Sequence, residues 1–140
     1  MSVDQGTISS TRRRARLLAV GAAILTGLVV WVIAVPLFDV TLTATRAGDD
    51  SQVQEIGIIA VLTTSLISGL AAWGLLALLE KFTARARTAW TLIAGIVLLL
   101  SLVGPFTGGT TTSAKVTLLA MHVAVGGVLI LLLRRSSAAR

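Results

Sequence analysis

Residues 116–133, VTLLAMHVAVGGVLILLL, form an 18-residue stretch without a formal charge, with Lys115 before it and Arg134 and Arg135 after it. At about 1.5 Å of rise per residue, a helix of this length covers roughly 27 Å, close to the hydrocarbon thickness of a bilayer. A helix of a soluble protein with so few polar residues would be unusual, so the stretch predicts a membrane span. It also contains His122, the only histidine in the chain.

The composition of the whole chain agrees with a lipid environment. Of its 140 residues, 55% are hydrophobic and only 13% are charged, whereas about a quarter of the residues of an average soluble domain are charged. The chain has no cysteine, which excludes disulfides, thiolate metal sites and thiol redox chemistry. Membrane enzymes that handle disulfides are therefore excluded.

Three further apolar runs are long enough to cross a bilayer. They are residues 17–38, 56–79 and 88–106, which together with residues 116–133 give four predicted spans. The first run is too long for the apolar part of a cleaved signal peptide, and no small-residue cleavage site follows it. We predict an all-α fold, in which residues 17–133 form one integral membrane domain. Short connections make consecutive helices neighbours, so the domain should be an antiparallel four-helix bundle.

The segments between and around these spans are polar. Residues 1–16 are predicted to be a disordered basic cytoplasmic arm, and residues 134–140 a basic cytoplasmic tail. In residues 39–55, apolar residues first alternate with threonine, as in a strand, and a Gly-Asp-Asp turn signal follows. Two interpretations stay open for this segment, a short hairpin on the membrane surface and an irregular loop. Residues 107–115 are expected to form a flexible loop rich in hydroxyl groups.

The distribution of lysine and arginine predicts how the chain is threaded. Ten of the twelve basic residues lie in the two termini and in the turn at residues 80–87, and only Arg46 and Lys115 lie in the other two loops. The positive-inside rule then places both termini in the cytoplasm. Trp73 and Trp90 are expected near the inner interface of this multi-pass protein of the cytoplasmic membrane.

The net charge of +6 has a membrane explanation. Basic residues at the ends of spans lie against anionic lipid of the inner leaflet, which contributes about 1 kcal/mol for each cation near the surface. Anionic lipid is therefore the predicted partner of these clusters, and nucleic acid is not expected to bind.

Three short motifs carry a resemblance to a known family: the turn from Glu80-Lys81-Phe82 to Trp90, the break from Ser101 to Pro105, and the run Leu119-Ala120-Met121-His122. With these motifs the layout resembles a family of uncharacterised small actinobacterial membrane proteins, a domain of unknown function with four predicted spans. The resemblance covers nearly the whole chain. It implies the four-span topology and no activity, and it marks His122 as a feature to test.

The spans contain few groups that could carry out chemistry. A proton-coupled exporter needs a carboxylate inside the bilayer, and all six acidic residues lie outside the predicted spans or at their borders. A haem held by two histidines of one chain is excluded because the chain has one histidine. No nucleophile, base and orienting residue occur at a recognisable spacing. We therefore predict no enzyme activity, no catalytic residue, no cofactor and no metal site.

His122 nevertheless has three interpretations. It is a neutral imidazole hydrogen-bonded between helices, a titrating or ligand-binding group reached from outside, or a ligand of a metal or of a haem shared by two chains. Counting residues from the outer end of each span places Trp31, Thr64 and Ser101 at about its depth, as a candidate polar layer. We predict a hydrogen bond from His122 to a hydroxyl of this layer, with Thr64 as the first choice.

Small residues mark two candidate helix-packing faces, because small side chains let membrane helices approach closely. One face lies on the second span and comprises Ser65, Ser68, Gly69 and Ala72. The other lies on the fourth span, opposite His122, and comprises Ala120, Ala124 and Gly127. The second face predicts contact with another copy of the chain or with a different membrane protein.

The function favoured by these patterns is non-enzymatic binding of a lipid or of another membrane protein. The alternative is a small transporter or channel subunit with His122 in its path. A path requires polar groups through the full depth of the membrane, and the hydroxyls thin out toward the inner half of the spans. That distribution favours the binding function.

Overall fold

The computed structural model describes residues 3–46 and 49–137. Its elements are, in chain order, helix α1 (Val3–Val32) with a π-helical end (Ile33–Leu37), strands β1 (Thr43–Arg46) and β2 (Asp49–Glu55), and helices α2 (Ile58–Phe82), α3 (Ala86–Ser101), α4 (Val103–Gly108) and α5 (Thr112–Ser136). Among the described residues, four stretches are long and apolar enough to cross a membrane: Ile8–Leu37, Ile58–Phe82, Ala86–Gly108 and Thr112–Ser136. The chain is thus predominantly helical, as the sequence predicts, and the stretches indicate a multi-pass membrane protein.

Helix α1 begins much earlier than the sequence predicts. It is helical from Val3, so the prediction of a disordered arm is wrong over residues 3–16. A helix that is already formed in an apolar run extends through polar residues at little cost, because only its first turn is expensive to form. Residues 1 and 2 of the predicted arm lie outside the described residues.

The π-helical end of α1 contains Pro36. Proline has no backbone N–H to donate to the preceding turn, and wider turns of this kind accommodate such an interruption. The chain then reverses at Asp39, whose φ of 53° is in the left-handed region that aspartate tolerates better than most residues. The backbone N–H of Val40 donates to the carbonyl of Ala34 at 3.0 Å, which fixes the exit from the helix.

Strands β1 and β2 form an antiparallel hairpin, so the structure decides between the two interpretations of residues 39–55. The register pairs Thr43 with Glu55 and Thr45 with Val53. Leu42, one of the alternating apolar residues, is almost fully buried. The hairpin also contacts the loop before α5, where the N–H of Thr110 donates to the carbonyl of Thr43 at 3.3 Å. The all-α prediction is therefore wrong in this small sheet.

The loops are shorter than the sequence suggests, because the helices continue past the apolar runs. Only residues 83–85 connect α2 to α3, and only residues 109–111 connect α4 to α5. Helix α5 begins early because Thr111 caps it, its hydroxyl accepting from the N–H of Ala114 at 3.1 Å. Residues 107–115 are thus mostly helical rather than a flexible loop, and α5 extends through Ser136 into the predicted tail.

The break between α3 and α4 has a clear cause. Pro105 cannot donate to the carbonyl of Ser101 four residues earlier, so the regular helix ends at Ser101 and a second short helix starts at Val103. The break lies within the stretch from Ser101 to Pro105 that the sequence marks.

Helix α1 packs against α2 and α5, whereas α3 packs mainly against α5. At one end of the bundle, Arg16 of α1 contacts Glu80 of α2. At the other end, the indole N–H of Trp31 donates to the carbonyl of Ile56, just before α2, at 3.1 Å. We refer to these as the ion-pair end and the hairpin end. The start of the apolar part of α1 therefore lies beside the end of α2.

The core lies toward the ion-pair end. Its buried members are Ala19, Ala23, Leu76, Trp90, Leu129 and Leu133. Trp90 is only 2% exposed, and its indole N–H donates to the carbonyl of Ile130 at 3.4 Å. The ring of Trp90 is therefore covered by α5 inside the bundle.

Candidate functional site

A cleft of about 590 Å³ lies between α2 and α3, with α5 as its floor. Along α2 its lining extends from Ala60 to Leu75, about 22 Å at 1.5 Å per residue. The tight turn at residues 83–85 holds the two walls together at one end, and the cleft extends from there toward the hairpin end, where Gln54 and Glu55 reach it. The volume is within the range of about 300 to 1,000 Å³ that is typical of small-molecule sites.

Apolar side chains line most of this cleft. The polar exceptions on the helices are Thr64, Ser65, Ser68, Ser101 and His122. The hydroxyl of Ser101 donates to the carbonyl of Leu98 at 2.7 Å, and so is satisfied within its own helix. The cleft therefore offers a long hydrocarbon surface with a few polar groups, the usual composition of a site for an apolar ligand.

His122 is oriented by its own helix. Its Nδ1 lies 2.8 Å from the carbonyl oxygen of Leu118, one turn earlier. A carbonyl only accepts hydrogen bonds, so Nδ1 carries the proton and Nε2 is left for another partner. Among the described residues, Nε2 has no hydrogen-bond partner. His122 lines the cleft.

A second cavity of about 430 Å³ lies beneath the hairpin, between β1 and α4. Its lining includes Thr45, Arg46 and Thr107. It also includes Ile56, Leu118 and His122, the three residues that line the larger cleft as well. The two cavities therefore adjoin at His122.

The structure brings together three of the four residues of the predicted polar layer. Thr64, Ser101 and His122 line the cleft, but Trp31 does not, because its indole is bound to the carbonyl before α2. The predicted hydrogen bond between His122 and Thr64 does not occur. The carbonyl of Leu118 satisfies Nδ1 instead, since it lies one turn away on the same helix.

The predicted packing face of α2 contacts α1 on one side and borders the cleft on the other. A Cβ at Gly69 would lie 2.9 Å from a methyl of Val20, so this glycine allows α1 and α2 to approach closely. Ser65 is buried on the same side, with its hydroxyl 2.9 Å from the Cβ position of Gly27. Ser68 instead lines the cleft, and Ala72 lies between the cleft and the core.

The predicted face of α5 points away from the other helices at two of its three positions. Ala120 is exposed, Ala124 is half-buried, and a Cβ at Gly127 would meet nothing within 4 Å. On the opposite side, a Cβ at Gly126 would lie 2.5 Å from a methyl of Leu98 in α3. The contact between α3 and α5 therefore depends on Gly126.

Sequence reasoning missed the ion pair between Arg16 and Glu80. The guanidinium donates to both carboxylate oxygens, at 2.6 and 2.7 Å, and both side chains are largely buried. Its Nε also donates to Ser136 at 3.4 Å, so the pair connects α1, α2 and α5. A signal was present in the sequence, because Glu80 is the only acidic residue in the basic turn and Arg16 directly precedes the first apolar run.

Arg46 was also missed as part of a site. The sequence gives it only a role in the charge count, because its position beneath the hairpin depends on how β1 packs against α4. Neither cavity contains a cluster typical of metal binding. Within residues 3–46 and 49–137, no group of three or more His, Cys, Asp or Glu side chains could hold a metal ion.

Comparison with protein families matches residues 7–139 to a family of unknown function, DUF6069. The chain belongs to this family. The match covers nearly the whole chain and supports the predicted resemblance to an uncharacterised domain family. No curated protein and no solved structure matches the chain.

Proposed function

We propose that this DUF6069 protein is a non-enzymatic component of the cytoplasmic membrane that binds a lipid in the cleft between α2 and α3. The observation that carries the proposal is the cleft itself. It has a volume of about 590 Å³ and is lined mainly by aliphatic side chains over most of the depth of α2. In a membrane, the molecules that fit such a surface are hydrocarbon chains.

The proposal includes the membrane threading. The helices form an antiparallel four-helix bundle with both termini in the cytoplasm, which places the hairpin end outside. The actinobacterial source inferred from the sequence motifs also belongs to this proposal. The ten basic residues of the termini and of the turn at residues 80–87 support the orientation, because positive charge accumulates on the cytoplasmic side. They then lie against anionic lipid, and no nucleic acid is required as a partner.

The alternative of a transporter or channel is less well supported. A path through the bundle would continue from His122 toward the ion-pair end, where Leu76, Trp90 and Leu133 are buried against one another. The described residues thus give a cleft with an apolar closed end. A binding site fits this shape better than a conducting path.

A substitution inside the cleft tests the proposal. Ser68 lines the cleft, while the adjacent Ile67 is 66% exposed and does not. We expect Ser68→Phe to fill part of the cleft and to reduce lipid retained after mild detergent extraction, as counted by native mass spectrometry. The matched variant Ile67→Phe should retain lipid as the unmodified protein does. Equal retention by Ser68→Phe and the unmodified protein would contradict lipid binding in the cleft.

A further inference from the structure

The two cavities together form a site with an apolar and a polar compartment. They share Ile56, Leu118 and His122, so a ligand in one compartment reaches the other at the histidine ring. The larger cavity is mostly aliphatic, whereas among the described residues Arg46 is the one charged residue that lines the smaller cavity. A molecule that fills both must be amphipathic, with its polar end beneath the hairpin.

The hydrogen-bonding capacity of the smaller cavity narrows the chemistry of that polar end. The hydroxyl of Thr45 donates to the carbonyl of Gly108 at 3.4 Å, and that of Thr107 to the carbonyl of Val103 at 2.8 Å. Both hydroxyl protons are therefore donated to backbone carbonyls, and neither hydroxyl is left to donate to a ligand. Among the side chains lining this cavity, Arg46 and His122 remain to bind a ligand.

His122 favours an acid over a neutral group. Because Nδ1 donates to Leu118, a neutral ring offers Nε2 only as an acceptor, and a charged ring offers it only as a donor. The O–H of an acid donates to the neutral ring, and its anion accepts from the charged ring. An ester can only accept, and an alcohol can donate to the neutral ring or accept from the charged one without bringing a charge. Only an acid makes the stronger, charge-assisted hydrogen bond with the ring.

The charges of the hairpin place the acidic group in the smaller cavity. Arg46 lies next to the turn of the hairpin, opposite Asp49 in the register, and lines the smaller cavity. Glu55 lies at the opposite end of the hairpin, paired with Thr43, and borders the larger cleft. Among the described lining residues, the smaller cavity thus has a cation and the larger one a carboxylate, so an anion is favoured in the smaller cavity.

We propose that the ligand is an acidic amphiphile, a fatty acid or a lipid phosphomonoester, with its acidic group between Arg46 and His122 and its chain in the cleft between α2 and α3. This inference rests on the proposed lipid-binding function and names the substrate class of the same site. The carboxylic and phosphoric groups share the chemistry that the two side chains recognise.

Binding of matched ligands to the full-length protein in phosphatidylcholine nanodiscs tests the inference. The probes are hexadecanoic acid, hexadecanol, methyl hexadecanoate and hexadecyl phosphate, with acetate and inorganic phosphate as anions without a chain. We expect both acids to bind at least about tenfold more tightly than the alcohol and the ester, since hydrogen bonds to charged groups are worth more than neutral ones. Displacement of radiolabelled hexadecanoic acid measures the ratios, and the chain-free anions should not displace it.

Two variants and a control assign the preference to the named residues. Arg46→Gln and His122→Phe should each reduce the preference for acid over ester about fivefold or more, while ester binding is kept. Arg46 is exposed, so its replacement leaves the fold intact even if the change at His122 does not. Lys115, a cation at the same end that lines neither cavity, provides the control. Lys115→Gln should leave the preference unchanged.

The possible outcomes separate the inference from the proposed function. If acid, alcohol and ester bind equally in the unmodified protein, or if Arg46→Gln leaves the preference for acid intact, the proposed acidic group is contradicted. Lipid binding in the cleft is not contradicted by either result. Displacement by inorganic phosphate or acetate alone would contradict an amphiphile. If no chain binds and Ser68→Phe changes nothing, the lipid cleft itself is wrong.

Discussion

The ion pair at one end of the bundle lies largely out of contact with water. The side chains of Arg16 and Glu80 are 7% and 19% exposed, and the guanidinium contacts both carboxylate oxygens. Two charges taken out of water in this way are stable only together, because each alone would be left without a counter-charge. The pair connects three helices at the end where the core is closed.

Replacing one partner should therefore be costly. We expect Glu80→Gln to lower the free energy of unfolding by roughly 3 kcal/mol, because it leaves the Arg16 guanidinium buried and unpaired. The measurement is chemical unfolding in detergent micelles. Lys81→Gln, next to it and exposed, should change stability by less than about 0.5 kcal/mol. Equal stability of Glu80→Gln and Lys81→Gln would show that the pair does not hold the helices together.

Individual residues were the hardest to place from the sequence. His122 was recognised because it is the only ionisable group in a long apolar run, and the structure does place it at the junction of two cavities. Its partner was predicted as a hydroxyl, but it is the carbonyl of Leu118. A backbone carbonyl one turn away is always within reach of a helical side chain. The pattern of polar residues could therefore not show that this carbonyl would compete with Thr64 for the histidine. Arg46 lines a cavity and Glu80 pairs with Arg16 only because elements distant in sequence pack together.

Among the elements, the spans were predictable and their ends were not. Apolar runs mark the part of a helix that contacts lipid, and all four were found. The helices extend past them, as α1 does to Val3 and α5 to Ser136, since polar residues also adopt helical structure. The alternation around Leu42 left a hairpin and an irregular loop open, and the structure shows the hairpin. The cleft could not be predicted, because it depends on the separation of α2 from α3 and not on the sequence of either helix.

The outward face of α5 leads to a prediction about assembly. Ala120 is exposed, and Gly127 on the same face has open space beside it, so another helix could approach closely there. We predict that the chain associates with itself through this face. Ala120→Phe should then reduce the particle mass measured in lipid nanodiscs.

Ile96→Phe is the matched control for this test. Ile96 is 57% exposed on α3, away from the small-residue face of α5, so its replacement should leave the assembly unchanged. An unmodified protein that runs as a single chain in nanodiscs would contradict self-association through α5.

For the whole molecule, the packing is asymmetric along the bundle axis. The core and the ion pair close one end, while both cavities lie toward the hairpin. If the hairpin end is outside, the site is reached from the outer half of the bilayer and its acidic ligand comes from that leaflet. The threading therefore decides which pool of lipid the protein samples.

Cysteine labelling in intact cells tests this threading most directly. The chain has no native cysteine, so single substitutions at Gln52, Thr112 and Ala84 report on one position each. These residues are exposed and have no hydrogen-bonded side chain that the change would remove. With a membrane-impermeant maleimide, we expect Gln52→Cys and Thr112→Cys to be labelled, and Ala84→Cys to be labelled only after the cells are opened. Labelling of Ala84→Cys in intact cells, with the other two protected, would contradict the account.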